Sequence, residues 1–481
     1  MNLCKVLFAS LLMGGLLVSM AGCAVGPDFA KPDLAKAFPS PTVPATVSPD
    51  ERDHWWSSFG APAMDERVAR ALRDSPDIQA AQEALLAAQE TALAQRGAFF
   101  PAVTAGVNPT RQKTSGALSS VPADGSYVYS LHTAQLSISY SPDLFGANRR
   151  AVESLVAQAD EQRYQWQAAR LTLIANLCVG LIEEASLQAQ LDAIDQSVRV
   201  QQQSLEIARK RYALGDAAQS DVLLQSATLT ATQAQRPAIE KQWLKQRDRN
   251  AALEGRHTVD AGEPSLTLGD FILPTDLPTS VPSAWLEQRP DIQAAEAQWH
   301  AASAQVGVAV AARLPALTLS ASGGSSAARF GDLFGPGTAF WNLAGDLAAP
   351  ILDGGTLRHQ QRSAEANNRR AAALYRSTAI NAFADVGDAL HAVEADRRAF
   401  DLAQAARETA LASYRIAQTQ YAAGDMSLIA LLTAEQAWRD AELSLITARA
   451  ARLEDAVALR QSIASGSEDP VRAAGKEQPH T

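Results

Sequence analysis

The sequence predicts a mainly α chain with a β contribution: long antiparallel helical hairpins and four β-strands, arranged as two copies of one unit. Three observations carry this. A series of landmarks recurs in the same order in the two halves of the chain. Long stretches place apolar residues at heptad spacing, and short alternating runs bounded by Gly, Pro and Ser lie between the helical segments. Composition agrees, because the 47% hydrophobic content contains only 6% aromatics and is dominated by Ala and Leu, the strongest helix formers.

At the N-terminus, Lys5 precedes the apolar run VLFASLLMGGLLVSMAG, too short and too early for a spanning helix. Residues 1–22 are expected to be a signal peptide, and the small residues of Met20-Ala21-Gly22-Cys23 resemble a bacterial lipoprotein signal that leaves Cys23 acylated. Met20 departs from the usual Leu, and an ordinary secretory signal is the alternative. Residues 23–60 carry Pro27, Pro32, Pro39, Pro41, Pro44 and Pro49 and read as an extended strap. Trp55 and Trp56 would anchor it by packing or sit at a membrane interface. Apart from the signal, no apolar stretch approaches 18 residues, so any membrane crossing falls to strands.

Residues 61–260 and 287–465 form the two repeats, joined by a linker at 261–286 and followed by a polar, disordered tail at 466–481. Ser75–Ala81 (SPDIQAA) returns as Arg289–Ala295 (RPDIQAA), 214 residues on. Pro101-Ala102-Val103-Thr104 returns as Pro315-Ala316-Leu317-Thr318, and Pro142–Gly146 (PDLFG) answers to Pro350–Gly354 (PILDG). Tyr212–Asp216 (YALGD) answers to Tyr421–Asp425 (YAAGD). Pro101 to Pro142 is 41 residues against 35 in the second copy, while the next interval is 70 against 71. A loop tolerates such variation and a long helix in register does not.

Each unit opens on a helix, over 65–97 and 287–312. In the first copy, Ala102–Gly106 and AQLSISY (134–140) read as strands around the loop KTSGALSSVPADGS. In the second, LTLSAS and TAFWNLAGDLAA flank a loop with Gly331, Gly335 and Gly337. Long helices follow over 148–212 and 356–422. Their seams are Leu187, Leu191, Ile194, Val198 and Leu205, and Phe383, Val386, Leu390, Val393 and Phe400, as in coiled coils. About 65 residues at 1.5 Å each reach on the order of 100 Å. Both end at a Gly-Asp turn, and returning helices follow over 219–253 and 428–463.

Several function classes are excluded. A net charge of -10 argues against nucleic acid as a partner, and reads as a solvated surface or a cation-favouring lumen. The seven His residues are scattered without metal-ligand spacing, and no phosphate loop, nucleophile elbow or HExxH occurs, so neither an enzyme nor a metal site is expected. Of the three Cys, Cys4 lies in the signal and Cys178 in an apolar helix, giving no disulfide framework. Apart from a covalent lipid on Cys23, no cofactor is expected.

Four strands cannot close a membrane barrel, and open edges are forbidden in hydrocarbon. Copies of the chain must supply the rest, and three would give twelve strands. Cys23-Ala24-Val25-Gly26-Pro27-Asp28-Phe29 is similar to the mature N-terminus of the NodT and OprM lipoproteins of the TolC-like outer-membrane efflux family. Asp143–Gly146, Pro350–Gly355 and Arg211–Leu223, the last as a helix-turn-helix tip, resemble the same family. The resemblance spans about residues 23–465. It implies a homotrimer with a 12-stranded transmembrane barrel and an α-barrel tunnel in the periplasm. A periplasmic adaptor and an inner-membrane pump are the implied partners, and Ala24 in place of Asp implies the outer membrane as destination.

The resemblance also places an entrance at the tips. Acidic residues common after the second turn are replaced here by Ala430 and Thr433, while Asp221 at the first tip remains. Asp221, with Thr433, is the candidate periplasmic gate, and a helix cap is the alternative role for Asp221. Gly215, Asp216, Gly424 and Asp425 form the tip turns. Leu428 and Leu431 are candidates for adaptor contact or apolar closure, or else plain seam residues. Other readings of the whole are a lipid-anchored periplasmic adaptor or scaffold, or the same channel serving protein secretion or metal export.

Overall fold

The computed structural model describes residues 24–31, 54–115, 126–257, 265–275, 277–278 and 280–465. Cys23, the signal peptide, most of the strap and the tail therefore lie outside the described residues. In chain order the elements are α1 (Pro62–Asp74), α2 (Pro76–Arg96), β1 (Ala102–Ser115), β2 (Ser126–Tyr140), α3 (Ala147–Leu214) and α4 (Gln219–Leu253). The second half repeats them as α5 (Ser283–Leu286), α6 (Pro290–Ala311), β3 (Ala316–Ala327), β4 (Ala339–Ala348), α7 (Thr356–Ala423) and α8 (Leu428–Ile463). The chain forms two compact units. The first comprises Leu85–Gln162 and Ala295–Tyr375 with residues 24–31, and the second comprises the described parts of Pro32–Ala84, Arg163–Ala294 and Arg376–Thr481.

The helix expected over 65–97 is two helices. Pro76 disfavours helical geometry at the residue before it, and Ser75 turns extended (φ -67°, ψ 122°). The SPDIQAA and RPDIQAA repeats are thus helix starts, each with Pro first and Asp second.

In the first unit the strands form one antiparallel sheet in the order β1-β2-β3-β4, leaving one free edge on β1 and one on β4. Strand pairing reaches Ser115 and Ser126, into the segment expected as loop. Directly opposed residues share a face, so the register sorts the side chains. One face carries Val103, Ala105, Val107 and Pro109 on β1, and Ala134, Leu136, Ile138 and Tyr140 on β2. Leu317, Leu319 and Ala321 on β3 continue it to Trp341, Leu343 and Leu347 on β4. Most of its large members are exposed, Trp341 by 82%. The opposite face bears Thr104, Asn108, Ser137, Ser320, Asn342 and Asp346. A sheet apolar outward, polar inward and open at both edges is a barrel segment awaiting neighbours.

The chain after Cys23 packs within this unit. The Val25 N–H donates to the Phe145 carbonyl (3.1 Å), and Arg150 donates to the Val25 carbonyl (3.2 Å) and Asp28 (2.6 Å). Phe29 stacks on His300 at 4.6 Å. Gly26 lies directly on Gly307 of α6, where a Cβ would meet backbone.

The second unit holds a large core. Trp55, Phe59 and Met64 pack with Leu177, Cys178, Leu181 and Ile182 of α3 and with Leu453 and Val457 of α8. Trp55 and Trp56 are buried, which settles their role as packing. Helix α3 contains a window apolar enough to cross a membrane, but 72% of it is buried. Inside the unit lies a charged cluster. Glu254, fully buried, accepts from Arg67 (2.5 Å) and Arg70 (3.0 Å), with Arg256 at 3.2 Å. Glu184 accepts from Asn250 (2.9 Å) and Ser265 (3.1 Å).

Candidate gate at the hairpin tips

The tips of both helical hairpins lie in the second unit. At the first, the Gly215 N–H donates to Tyr212 O (3.0 Å) and the Asp216 N–H to Arg211 O (2.9 Å). At the second, Gly424 donates to Tyr421 O (3.1 Å) and Asp425 to Gln420 O (2.9 Å). These paired bonds form the Schellman closure of a helix, which needs a left-handed residue, and the glycines sit at φ +83° and +87°. Asp216 and Asp425 are exposed. The Arg211 guanidinium lies over the Tyr421 ring at 5.3 Å, linking the two tips.

The returning helices start differently. Ser427 caps α8, its hydroxyl accepting from the Ala430 N–H (3.3 Å). Ala218 caps α4 with no side-chain bond. Asp221 stands two residues further inside the helix than its first residue, half-buried, and caps nothing with its carboxylate. The cap alternative therefore fails on position: the cap residue is Ala218. What Asp221 does is place a negative charge in the first turn, at the positive end of the helix dipole. Thr433 is exposed, and its hydroxyl donates to its own helix at Ile429 O (2.8 Å).

Leu428 and Leu431 are buried with Tyr414, Ala417 and Trp438. They serve the seam of the α7–α8 hairpin and offer no exposed apolar surface within the chain. The most exposed apolar side chains near the tips are Leu214 (78%), Leu223 (63%) and Ile429 (68%), with Tyr212 and Leu224 exposed to a lesser degree. Below, Tyr414 stacks on Trp438 at 5.2 Å, and buried Gln201 donates to Glu435 (2.8 Å). Burial raises the Glu435 carboxyl, and burial followed by the Glu435 charge pushes Tyr414 up to about 12. The first seam differs in detail from the heptad reading. Leu187, Leu191, Ile194 and Leu205 are buried, but Ser197 and Gln201 fill the buried positions while Val198 is only half-buried. Of the second seam only Val386 is buried within the chain. The buried polar members had no hydrophobic signal by which to be found.

An amphipathic sheet that needs further strands, together with two long hairpins closed by glycine turns, defines the class of outer-membrane channel subunits. The chain matches the family described as outer membrane efflux protein over residues 68–255 and 281–465, and it belongs to that family. It is 30% identical over 439 residues to the pyoverdine export outer membrane protein OpmQ of Pseudomonas putida, covering 90% of this chain and 92% of the other. The toluene efflux pump outer membrane protein TtgC of Pseudomonas putida is 28% identical over 463 residues, 93% of each chain. The solved outer-membrane channel OprN superposes with a TM-score of 0.83 at 26% identity, covering 92% of this chain and 99% of that one. The protein is an outer-membrane efflux channel with a TolC-like fold, and the adaptor alternative is set aside by these matches.

Proposed function

We propose that three copies of this chain form a passive duct in a tripartite efflux system, carrying small organic molecules, drugs or other toxic compounds, outward. The observation that carries the reading is the sheet with an apolar outer face, a polar inner face and two free edges. Three such sheets close a twelve-stranded barrel with no exposed edge. Relatives named for pyoverdine and toluene support small organic cargo. A periplasmic adaptor and an inner-membrane pump supply energy and selectivity, since a duct has no need to recognise what it carries. Cys23 is acylated after removal of residues 1–22, and the packed segment 24–31 holds the lipid near the body. The repeats at 61–260 and 287–465 are joined through 261–286. Asp221 from each copy forms an acidic ring at the entrance, and the exposed Leu214, Leu223 and Ile429 offer the adaptor its apolar contacts.

The test is single-channel conductance of the detergent-purified protein in a planar bilayer. Discrete steps from a species of three chains are expected. Protein anchored by its lipid alone, with its strands outside the bilayer, overturns the reading.

A further inference from the structure

We infer that Arg111 and Lys113 bind the phosphate groups of lipid headgroups in the outer leaflet of the membrane. The inference rests on the barrel reading and extends it to a surface outside the duct. On the β1–β2 hairpin, the outward face climbs through the pairs Val103–Ile138, Ala105–Leu136, Val107–Ala134 and Pro109–His132. The next two pairs are Arg111–Ser130 and Lys113–Val128. Their side chains thus lie on the apolar, lipid-facing side of β1, and both are exposed. On the inward face of the same hairpin, Thr104, Asn108, Thr110, Gln112, Gln135 and Thr133 are uncharged. The cations are therefore a property of the outward face.

Position along the strand selects the partner. The base of the hairpin leads into helices α2 and α3, so Arg111 and Lys113 stand at the opposite end, the external rim. Arg111 lies eight residues beyond Val103, about 27 Å along an extended strand. With the strand tilted by about 40°, that brings it to the top of the apolar band. Their alkyl stems extend that band while the charges reach the headgroup layer. No acidic residue among the described strand residues shares this face, since Asp346 points to the other one. Neither cation has an ion pair within the described residues. Two cations two positions apart, above hydrocarbon, match a lipid with phosphates on a compact headgroup. A soluble anion would have no use for the apolar surface beneath.

The test uses the detergent-purified full chain and counts bound lipid by native mass spectrometry. The probes are diphosphorylated lipid A, its dephosphorylated form and inorganic phosphate. Wild type retains the diphosphorylated lipid, R111Q/K113Q retains about tenfold less, and R111K/K113R retains it as wild type does. Excess inorganic phosphate leaves the lipid in place. Equal retention by wild type and the Gln variant overturns the inference, as does equal binding of the dephosphorylated lipid. Displacement by inorganic phosphate also overturns it, in favour of a free-anion site. Conductance of R111Q/K113Q is measured in parallel: steps like those of wild type show an intact barrel. A wild type anchored by its lipid alone, with its strands outside the bilayer, overturns the duct reading separately, because lipid retention is read without any current.

Discussion

Asp221 is an acidic side chain in the first turn of α4, and the matching turn of α8 has none. Its repeat counterpart is Ala430, so the first turns of the two returning helices carry one carboxylate per chain, beside the exposed Asp216 and Asp425 of the tip turns. Removing a charge from a helix N-terminus costs about 0.3–1 kcal/mol, too little to unfold the tip, so Asp221→Asn isolates the electrostatic role. Cation preference is expected to fall and conductance to change in planar-bilayer recordings. Unchanged selectivity and conductance would remove Asp221 from the gate. A second residue-scale prediction concerns Glu254, fully buried among Arg67, Arg70 and Arg256. Glu254→Leu leaves the buried Arg67 charge without its shortest partner, and a loss of about 3–5 kcal/mol is expected in denaturant unfolding followed by circular dichroism. A loss below about 1 kcal/mol would show that Glu184 compensates from 3.7 Å.

The hairpins owe their reversals to Gly215 and Gly424, both in the left-handed region with open space where a Cβ would stand. Substitution there meets no neighbour, so the cost is that of the backbone alone, about 1–2 kcal/mol. Gly424→Ala is expected to speed hydrogen exchange in the first turn of α8 and the last turn of α7, roughly tenfold or more, while Gly424→Asn has less effect. Exchange unchanged by Ala would mean the tip is held by other contacts, such as Arg211 on Tyr421. These elements were the most legible part of the chain. Gly-Asp turns mark both helix ends sharply, and the returning helices run over 219–253 and 428–463 as expected. The break at Pro76 was visible in principle, because proline inside a helical pattern ends it at the preceding residue. Strand ends were less visible, since β1 carries Thr, Gln and Lys into what reads as loop composition. Seam detail failed where Ser197 and Gln201 replace apolar residues, because periodicity counts hydrophobicity and not burial.

At the scale of the molecule, family and architecture could be read from repeats and motifs, but long-range charge pairing could not. Arg67 and Glu254 are 187 residues apart and share no local pattern. The same blindness hid an acidic group in the second unit, where Glu454 and Asp455 of α8 lie near Glu183 of α3 and Asp396 of α7. Burial first, and then the charges of Glu183, Asp455 and Asp396, push Glu454 up to about 7. Burial and Asp396 push Asp455 up to about 6. In the unfolded chain both return to the ordinary range near 4. Between about pH 4 and 7 the folded state therefore binds more protons than the unfolded one, and stability falls as pH rises through that window. The contribution of these groups is fully present below about pH 4 and lost above about pH 7. Thermal unfolding of the detergent-solubilised protein should show wild type gaining less than Glu454→Gln on moving from about pH 5.5 to about pH 8, because the amide has no charge to bury. Carboxylates held low by cationic partners act in the opposite direction in both proteins, so the difference between the two isolates Glu454. Parallel pH profiles would mean that its proton is no more tightly held in the folded state than in the unfolded chain.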